Sequence, residues 1–227
     1  MNGLYTCTSM TLRQTVFALL IVAMSCISPG AWANDAPLQI IHVTTDATTV
    51  ERGADTLMAN CHSCHSMKYI KYRDLVKFGM DKQKVDAWRG DQSLDTPLLA
   101  QMSENDAVQS FGKAPPDLSL MVKARDGGVS YVYSYLLAYH NSPDGMLQNP
   151  VYPETKMPDA LGISGATDDA QRTEIKGKAR DIVTFLAWVA DPHEAERKRL
   201  GYYVLVYLAV LTVLLYYVKN QVWAKLK

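Results

Sequence analysis

Cys61-His62-Ser63-Cys64-His65 is the stretch that decides the fold. Cys-x-x-Cys-His is the attachment signal of a c-type haem. On a helical turn, positions i, i+3 and i+4 share one face. Two thiols can therefore form thioethers with the two porphyrin vinyl groups while the adjacent imidazole sits beneath the iron. Cys61 and Cys64 are the expected anchors of one covalent haem c, and His65 its proximal ligand. His62 reads as a spacer. A structural zinc site needs four protein ligands, and a redox dithiol favours a βαβ setting. Neither suits a chain whose other cysteines, Cys7 and Cys26, lie in a removable segment.

That segment follows secretory grammar. Arg13 precedes an apolar run over residues 16–27 (VFALLIVAMSCI), then Pro29, Gly30 and Ala31-Trp32-Ala33. A charged start, a short apolar stretch and an A-x-A site predict a signal peptide over residues 1–33. Met10 is an alternative start. The exported chain then keeps only Cys61 and Cys64, so the oxidising compartment is inferred from export and haem rather than from disulfides.

A second apolar run, residues 200–218 (LGYYVLVYLAVLTVLLYYV), carries no charge. Nineteen helical residues span about 28 Å, close to one bilayer core. Tyr202, Tyr203, Tyr216, Tyr217 and Trp223 lie near its ends, where an aromatic belt is expected. Basic residues flank both sides, so the signal sets the orientation. The expected organisation is a periplasmic haem domain over 34–196, a membrane anchor over 197–220, and a cytoplasmic tail over 221–227. The compartment is the bacterial inner membrane, and membrane lipid is one partner.

Overall neutrality hides a division. Residues 34–196 hold 16 Lys and Arg against 23 Asp and Glu, a balance of −7. That length suffices for one core. The acidity argues against nucleic acid and fits either steering of a basic partner or ordinary solubility. No internal repeat suggests a duplicated dihaem carrier.

The fold class is mainly α, with long irregular loops and one C-terminal transmembrane helix. Helices are expected over 49–60 and over 69–78, the second stopped by Gly79. Residues 81–112 read as polar and irregular. Asp117 is an expected N-cap for a helix over 118–125 closed by Gly127-Gly128. Ser130 is the expected cap of a helix over 131–139. Residues 140–165 read as a long functional loop. A helix from Thr167 or Asp168 runs towards Ala190, and Asp191-Pro192 then opens the final helix.

An electron-transfer haem usually keeps two protein axial ligands, and methionine opposite histidine raises the potential. The candidates are Met58, Met67, Met80, Met102, Met121, Met146 and Met157, with His42, His140 and His193. Met58 and Met67 are too close to the attachment turn, while Met80, Met102 and Met121 suit packing. Met146 and Met157 lie in the proline-rich loop. Met157, stiffened by Pro158, is favoured over Met146, and His140 is a weaker alternative.

Further blocks are selective: Pro115-Pro116-Asp117-Leu118-Ser119, then Lys123-Ala124-Arg125-Asp126-Gly127-Gly128, Tyr131-Val132-Tyr133-Ser134 and Lys156-Met157-Pro158. With the haem motif and the anchor, residues from about 50 to 220 resemble the cytochrome c1 family, the haem subunits of ubiquinol–cytochrome c oxidoreductase (cytochrome bc1) complexes. The resemblance implies His65 and Met157 as axial ligands, Arg125 pairing with a haem propionate, Tyr131 near it, and Pro115 and Pro116 against the ring. It also implies cytochrome b and Rieske iron–sulfur subunits as partners, a cytochrome c-type acceptor, and a dimeric complex. Such a chain passes electrons from the iron–sulfur protein to a soluble or membrane-bound cytochrome c, with no acid, base or nucleophile of its own. Lys156 stands where the family often has glycine, and the absence of long insertions marks a compact bacterial type. The rival expectations are a free-standing membrane-anchored c-type carrier, a non-haem thiol module, and a peroxidase-like enzyme with an open iron site.

Overall fold

The computed structural model describes residues 36–225. The expected signal segment, with Cys7 and Cys26, and the last two residues of the tail lie outside the described residues.

Two helices build the centre. Helix α1 spans Ala47–Asn60, with Asp46 as N-cap accepting from the Thr49 N–H. It buries Val50, Gly53, Ala54 and Leu57, the one-face spacing of an amphipathic helix. Helix α7 spans Asp169–Ala190 and is capped by Asp168, whose carboxylate accepts from the Gln171 N–H at 2.7 Å. Here the expected start and end coincide with the structure. Ile182, Phe185, Leu186 and Val189 of α7 share one core with the buried face of α1. Gly53 permits the close approach: a Cβ built there would lie 2.1 Å from the Asp181 carbonyl oxygen and 2.8 Å from the Phe185 Cβ. Arg52 makes a two-pronged bond to the Asp181 carboxylate beside this crossing, at 3.2 and 3.1 Å.

The expected helix over 69–78 is corrected. Residues Met67–Lys71 form strand β1, and helix α2 occupies only Tyr72–Phe78, ending at left-handed Gly79. Distant side chains explain the difference. Asp117 accepts from the Lys68 N–H at 2.9 Å and Ser119 from the Tyr69 N–H at 3.1 Å, holding the segment extended. Strand β2, Pro97–Leu98, pairs antiparallel with β1 and sets Met67 opposite Leu98.

The stretch expected to be irregular contains helices α3, Lys82–Arg89, and α4, Glu104–Phe111. Asp81 and Ser103 cap their starts, and Gly90 and Gly112 their ends. Each buries a single residue, Val85 or Ala107, which is why no apolar period announced them.

Asp117 caps no helix. Its two oxygens hold the Ser119 and Lys68 N–H groups, and helix α5 is only Met121–Ala124. Gly127, at φ 87°, opens helix α6, Gly128–Leu137, rather than closing α5. Ser130 therefore sits inside α6. Its hydroxyl accepts from the Ile41 N–H at 3.1 Å and ties down the segment before α1.

The long loop after α6 holds a small hairpin, β3 His140–Asn141 with β4 Leu147–Gln148, and a 3-10 turn at Ile163–Gly165. Asp191 then ends α7, and helix α8 starts at Glu194, so Asp191 is a C-cap rather than the expected N-cap. Helix α8 runs Glu194–Ala224 and buries no residue. Its 31 residues are long and apolar enough to cross a bilayer. Asp191 accepts from Lys123 of α5 at 2.9 Å and from Arg197 of α8 at 2.5 Å.

Candidate haem site

The attachment signal occupies the turn that leaves α1. The Cys64 N–H bonds to the Cys61 carbonyl at 3.1 Å and the His65 N–H to the same oxygen at 2.9 Å. This is the helical turn that the i, i+3, i+4 spacing requires. Both thiols are free, Cys61 buried and Cys64 half-buried. Burial, helped by the neighbouring Cys64, pushes the Cys61 thiol up to about 12.

Later segments hold this turn in place. The Met102 N–H bonds to the Ser63 carbonyl at 2.9 Å, the Leu118 N–H to the Ser66 carbonyl at 2.9 Å, and the Ala100 N–H to the Ser66 hydroxyl at 2.8 Å. His65 Nδ1 lies 2.8 Å from the Pro116 carbonyl oxygen. A carbonyl only accepts, so Nδ1 carries the proton and the Nε2 lone pair remains for a metal. Burial lowers the His65 pKa below its ordinary value, partly offset by the Pro116 bond and the Asp117 charge. The imidazole is therefore neutral at pH 7, the form that ligates.

A cavity of about 350 Å³ opens beside this turn. Cys61, Cys64, His65, Pro115, Pro116, Arg125, Tyr131 and Met157 all line it, so eight residues drawn from five separate sequence blocks meet in one place. The Arg125 guanidinium stands 5.8 Å from the centre of the Tyr131 ring. Lys156 is exposed and also reaches the cavity wall, and Lys113 stands 5.4 Å from the centre of the Tyr152 ring.

The candidate sixth ligands separate clearly. Met67 and Met80 are buried in the core, Met146 is 59% exposed on the hairpin, and Met58 packs against the core. His42, His140 and His193 are exposed, and among the described histidines only His65 lines the cavity. Among the described residues two methionines reach it, Met157 and Met121. Met121, which local sequence context consigned to packing, is thus a second thioether at the site.

Sequence reasoning missed what holds Met157. The Tyr139 hydroxyl donates to the Met157 carbonyl at 3.0 Å, and the Met157 N–H donates to Thr155 Oγ1 at 3.2 Å. The Tyr135 hydroxyl lies 2.8 Å from that of Tyr139 and 2.6 Å from that of Thr155. Fully buried Asn149 fastens the loop to α6, donating to the Tyr135 carbonyl at 2.8 Å while accepting from the Val151 N–H at 3.1 Å. Tyr131, Tyr135 and Tyr139 recur every four residues, a face that the sequence displayed openly. His62, expected to be a spacer, is buried, and its Nδ1 has no hydrogen-bond partner among the described residues.

The donor set fits a c-type haem: two thiols and a neutral imidazole on one turn, a thioether within the same cavity, and walls that are largely apolar. A mainly helical domain built around such a cavity, followed by one membrane-length helix, is the architecture of a membrane-anchored c-type cytochrome. Comparison with known proteins narrows the class. The Cytochrome C1 family matches residues 37–104 and 88–226, and the chain belongs to that family. The mitochondrial heme protein cytochrome c1 of Neurospora crassa is 34% identical over 213 residues, covering 81% of this chain and 64% of the relative. Cytochrome c1 of Allochromatium vinosum is 30% identical over 209 residues, covering 78% of this chain and 84% of that protein. A chain of a hyperthermophilic respiratory Complex III is similar in structure, with a TM-score of 0.48 and 21% identity, covering 95% of this chain and 99% of that one.

Proposed function

We propose that this protein is the electron-transfer subunit of a ubiquinol–cytochrome c oxidoreductase (cytochrome bc1) complex, taking electrons from a Rieske iron–sulfur protein and passing them to a cytochrome c. The observation that carries this reading is the single cavity that gathers the attachment turn, Arg125 and Met157 in a member of the cytochrome c1 family. Cys61 and Cys64 would hold the haem covalently, and His65 Nε2 and the Met157 sulfur would ligate its iron. When bound, the haem supplies a one-electron Fe(III)/Fe(II) couple.

The chain's own residues do the rest. The Pro116 carbonyl fixes the His65 tautomer and orients its ring. Arg125, backed by the Tyr131 ring, presents guanidinium N–H groups suited to a propionate carboxylate. Leu118, Ile182 and Leu186 line the cavity with apolar surface that excludes water and so helps to set the potential. Helix α8 anchors the domain in the bilayer. The haem domain faces the periplasm, residues 1–33 are the export signal, and 221–227 are the cytoplasmic tail. Cytochrome b and the iron–sulfur subunit are the partners, in a dimeric assembly.

Purification of the native membrane complex tests the reading. Haem staining of this chain should survive a denaturing gel, and a dihaem cytochrome b and an iron–sulfur subunit should accompany it. A haem protein recovered alone would establish the free-standing carrier instead. Met157→Leu should lower the reduction potential by on the order of 100 mV or more. If Met121→Leu does so and Met157→Leu does not, the sixth ligand is Met121.

A further inference from the structure

We infer that Tyr139, Tyr135 and Thr155 form a closed, one-directional ring of hydrogen bonds that begins and ends on the backbone of Met157 and positions its sulfur; this rests on Met157 being the axial ligand proposed above. The direction of the ring follows from counting protons. The Met157 carbonyl can only accept, so the single hydroxyl hydrogen of Tyr139 is used on it, at 3.0 Å. The Tyr139 oxygen must then accept from the Tyr135 hydroxyl, 2.8 Å away. Tyr135 has spent its own hydrogen, so its oxygen accepts from Thr155, at 2.6 Å. The Thr155 oxygen is left with a lone pair, and this takes the Met157 N–H at 3.2 Å. Every hydroxyl in the ring donates once along it and accepts once along it.

Three features separate this ring from ordinary loop packing. It fixes both backbone polar groups of one residue, leaving the Met157 side chain as the free arm at the cavity. Its origin is the C-terminal end of α6, where Tyr135 lies in the last turn and Tyr139 just beyond the Ala138 cap, with their rings edge to face at 5.6 Å. It is also sheltered: Tyr139 is buried, and that burial pushes its phenol pKa well above the ordinary value, so the donor never ionises near neutrality. Hydrogen bonds that all run one way in a low-dielectric setting polarise one another. Asn149 fastens the same loop to the Tyr135 carbonyl, so α6 holds it at two points. Tyr135, Tyr139 and Thr155 are thus positioning residues that act through the backbone of Met157; Tyr135 and Thr155 also line the cavity, and Tyr139 does not.

The experiment uses the full-length haem-loaded protein, with Tyr139→Phe, Thr155→Val, their double variant, Thr155→Ser and Met157→Leu. Three readouts follow the sulfur rather than the fold: the near-infrared charge-transfer band of thioether-ligated ferric haem, carbon monoxide binding by the ferrous form, and the reduction potential. Covalent haem content and far-UV circular dichroism identify folded variants. Tyr139→Phe and Thr155→Val should each raise the fraction of ferrous haem open to carbon monoxide about fivefold, the worth of one net hydrogen bond. Because each breaks the same ring, the double variant should show much less than the product of the two. Thr155→Ser, which keeps the oxygen, should restore the wild-type band. If both single variants keep the wild-type band and carbon monoxide exclusion while Met157→Leu loses both, the ring does not position the sulfur. If Met157→Leu also keeps both, the axial assignment itself falls, and the inference with it.

Discussion

Gly53→Ala is a sharp probe of the fold because two opposing effects meet at one atom. In an exposed helix, alanine in place of glycine stabilises by about 1 kcal/mol. At residue 53 the new methyl would lie 2.1 Å from the Asp181 carbonyl oxygen, and that oxygen belongs to the backbone of α7. Ordinary contact requires α1 and α7 to separate by roughly 1.3 Å, loosening Val50, Ala54 and Leu57 against their neighbours. Overpacking of this kind costs about 1–3 kcal/mol, and a rigid backbone partner places it near the upper end. The expected net loss is about 2 kcal/mol, a Tm lowered by roughly 4–8 °C for a domain of this size. Gly177→Ala supplies the opposite case: it lies in the same α7, exposed, with nothing within 4 Å of the added methyl. It should raise Tm by roughly 2–4 °C. Thermal unfolding of the haem-loaded protein, followed by far-UV ellipticity, reads both variants. Equal shifts of the same sign would refute the close crossing.

Two further outcomes follow from charged side chains, one at the start of the membrane helix and one at the cavity wall. Hydrogen bonds from Lys123 and Arg197 hold the Asp191 carboxyl below the usual carboxylate range, so it binds protons more weakly folded than unfolded. The stabilisation is therefore full above the ordinary value near 4 and fades as pH falls through the lower folded value. Asp191→Asn should cost about 1 kcal/mol or less at pH 7, because both cations are well exposed, and that difference should shrink towards pH 3 in matched denaturation curves. Lys156→Gln should lower the haem potential by no more than about 40 mV, the size of one solvated charge at close range. The shift should diminish with added salt in a redox titration; no shift at low salt would place the ammonium away from the haem edge.

Where local chemistry determines structure, the residues were legible. The haem turn depends on i, i+3, i+4 geometry and α7 on Asp168 and a long apolar face, and both lie where the spacing puts them. Residues 67–71 failed because their form is dictated from fifty positions away, by Asp117 and Ser119. Helices α3 and α4 failed for the opposite reason: caps were present, but one buried residue apiece leaves no period to read. At the site, Met157 was singled out from its loop and its proline, whereas Met121 looked like packing because nothing local shows which way a four-residue helix presents it. Tyr135, Tyr139 and Thr155 carry no motif, and their bonds exist only once the loop has closed over α6.

The Pro116 bond to His65 bears on folding order. The turn that carries the two thiols closes with its own backbone bonds at Cys61, Cys64 and His65, but the imidazole beside them takes its orientation from a carbonyl 51 positions downstream. Closing that distance carries a chain-entropy cost and sets the step among the slow, non-local ones. An emerging chain therefore presents two accessible cysteines well before it presents an aligned histidine. On the proposed assignment, covalent capture and axial ligation would be separable events in time, with the interval between them set by how fast residues 100–118 fold back onto the turn.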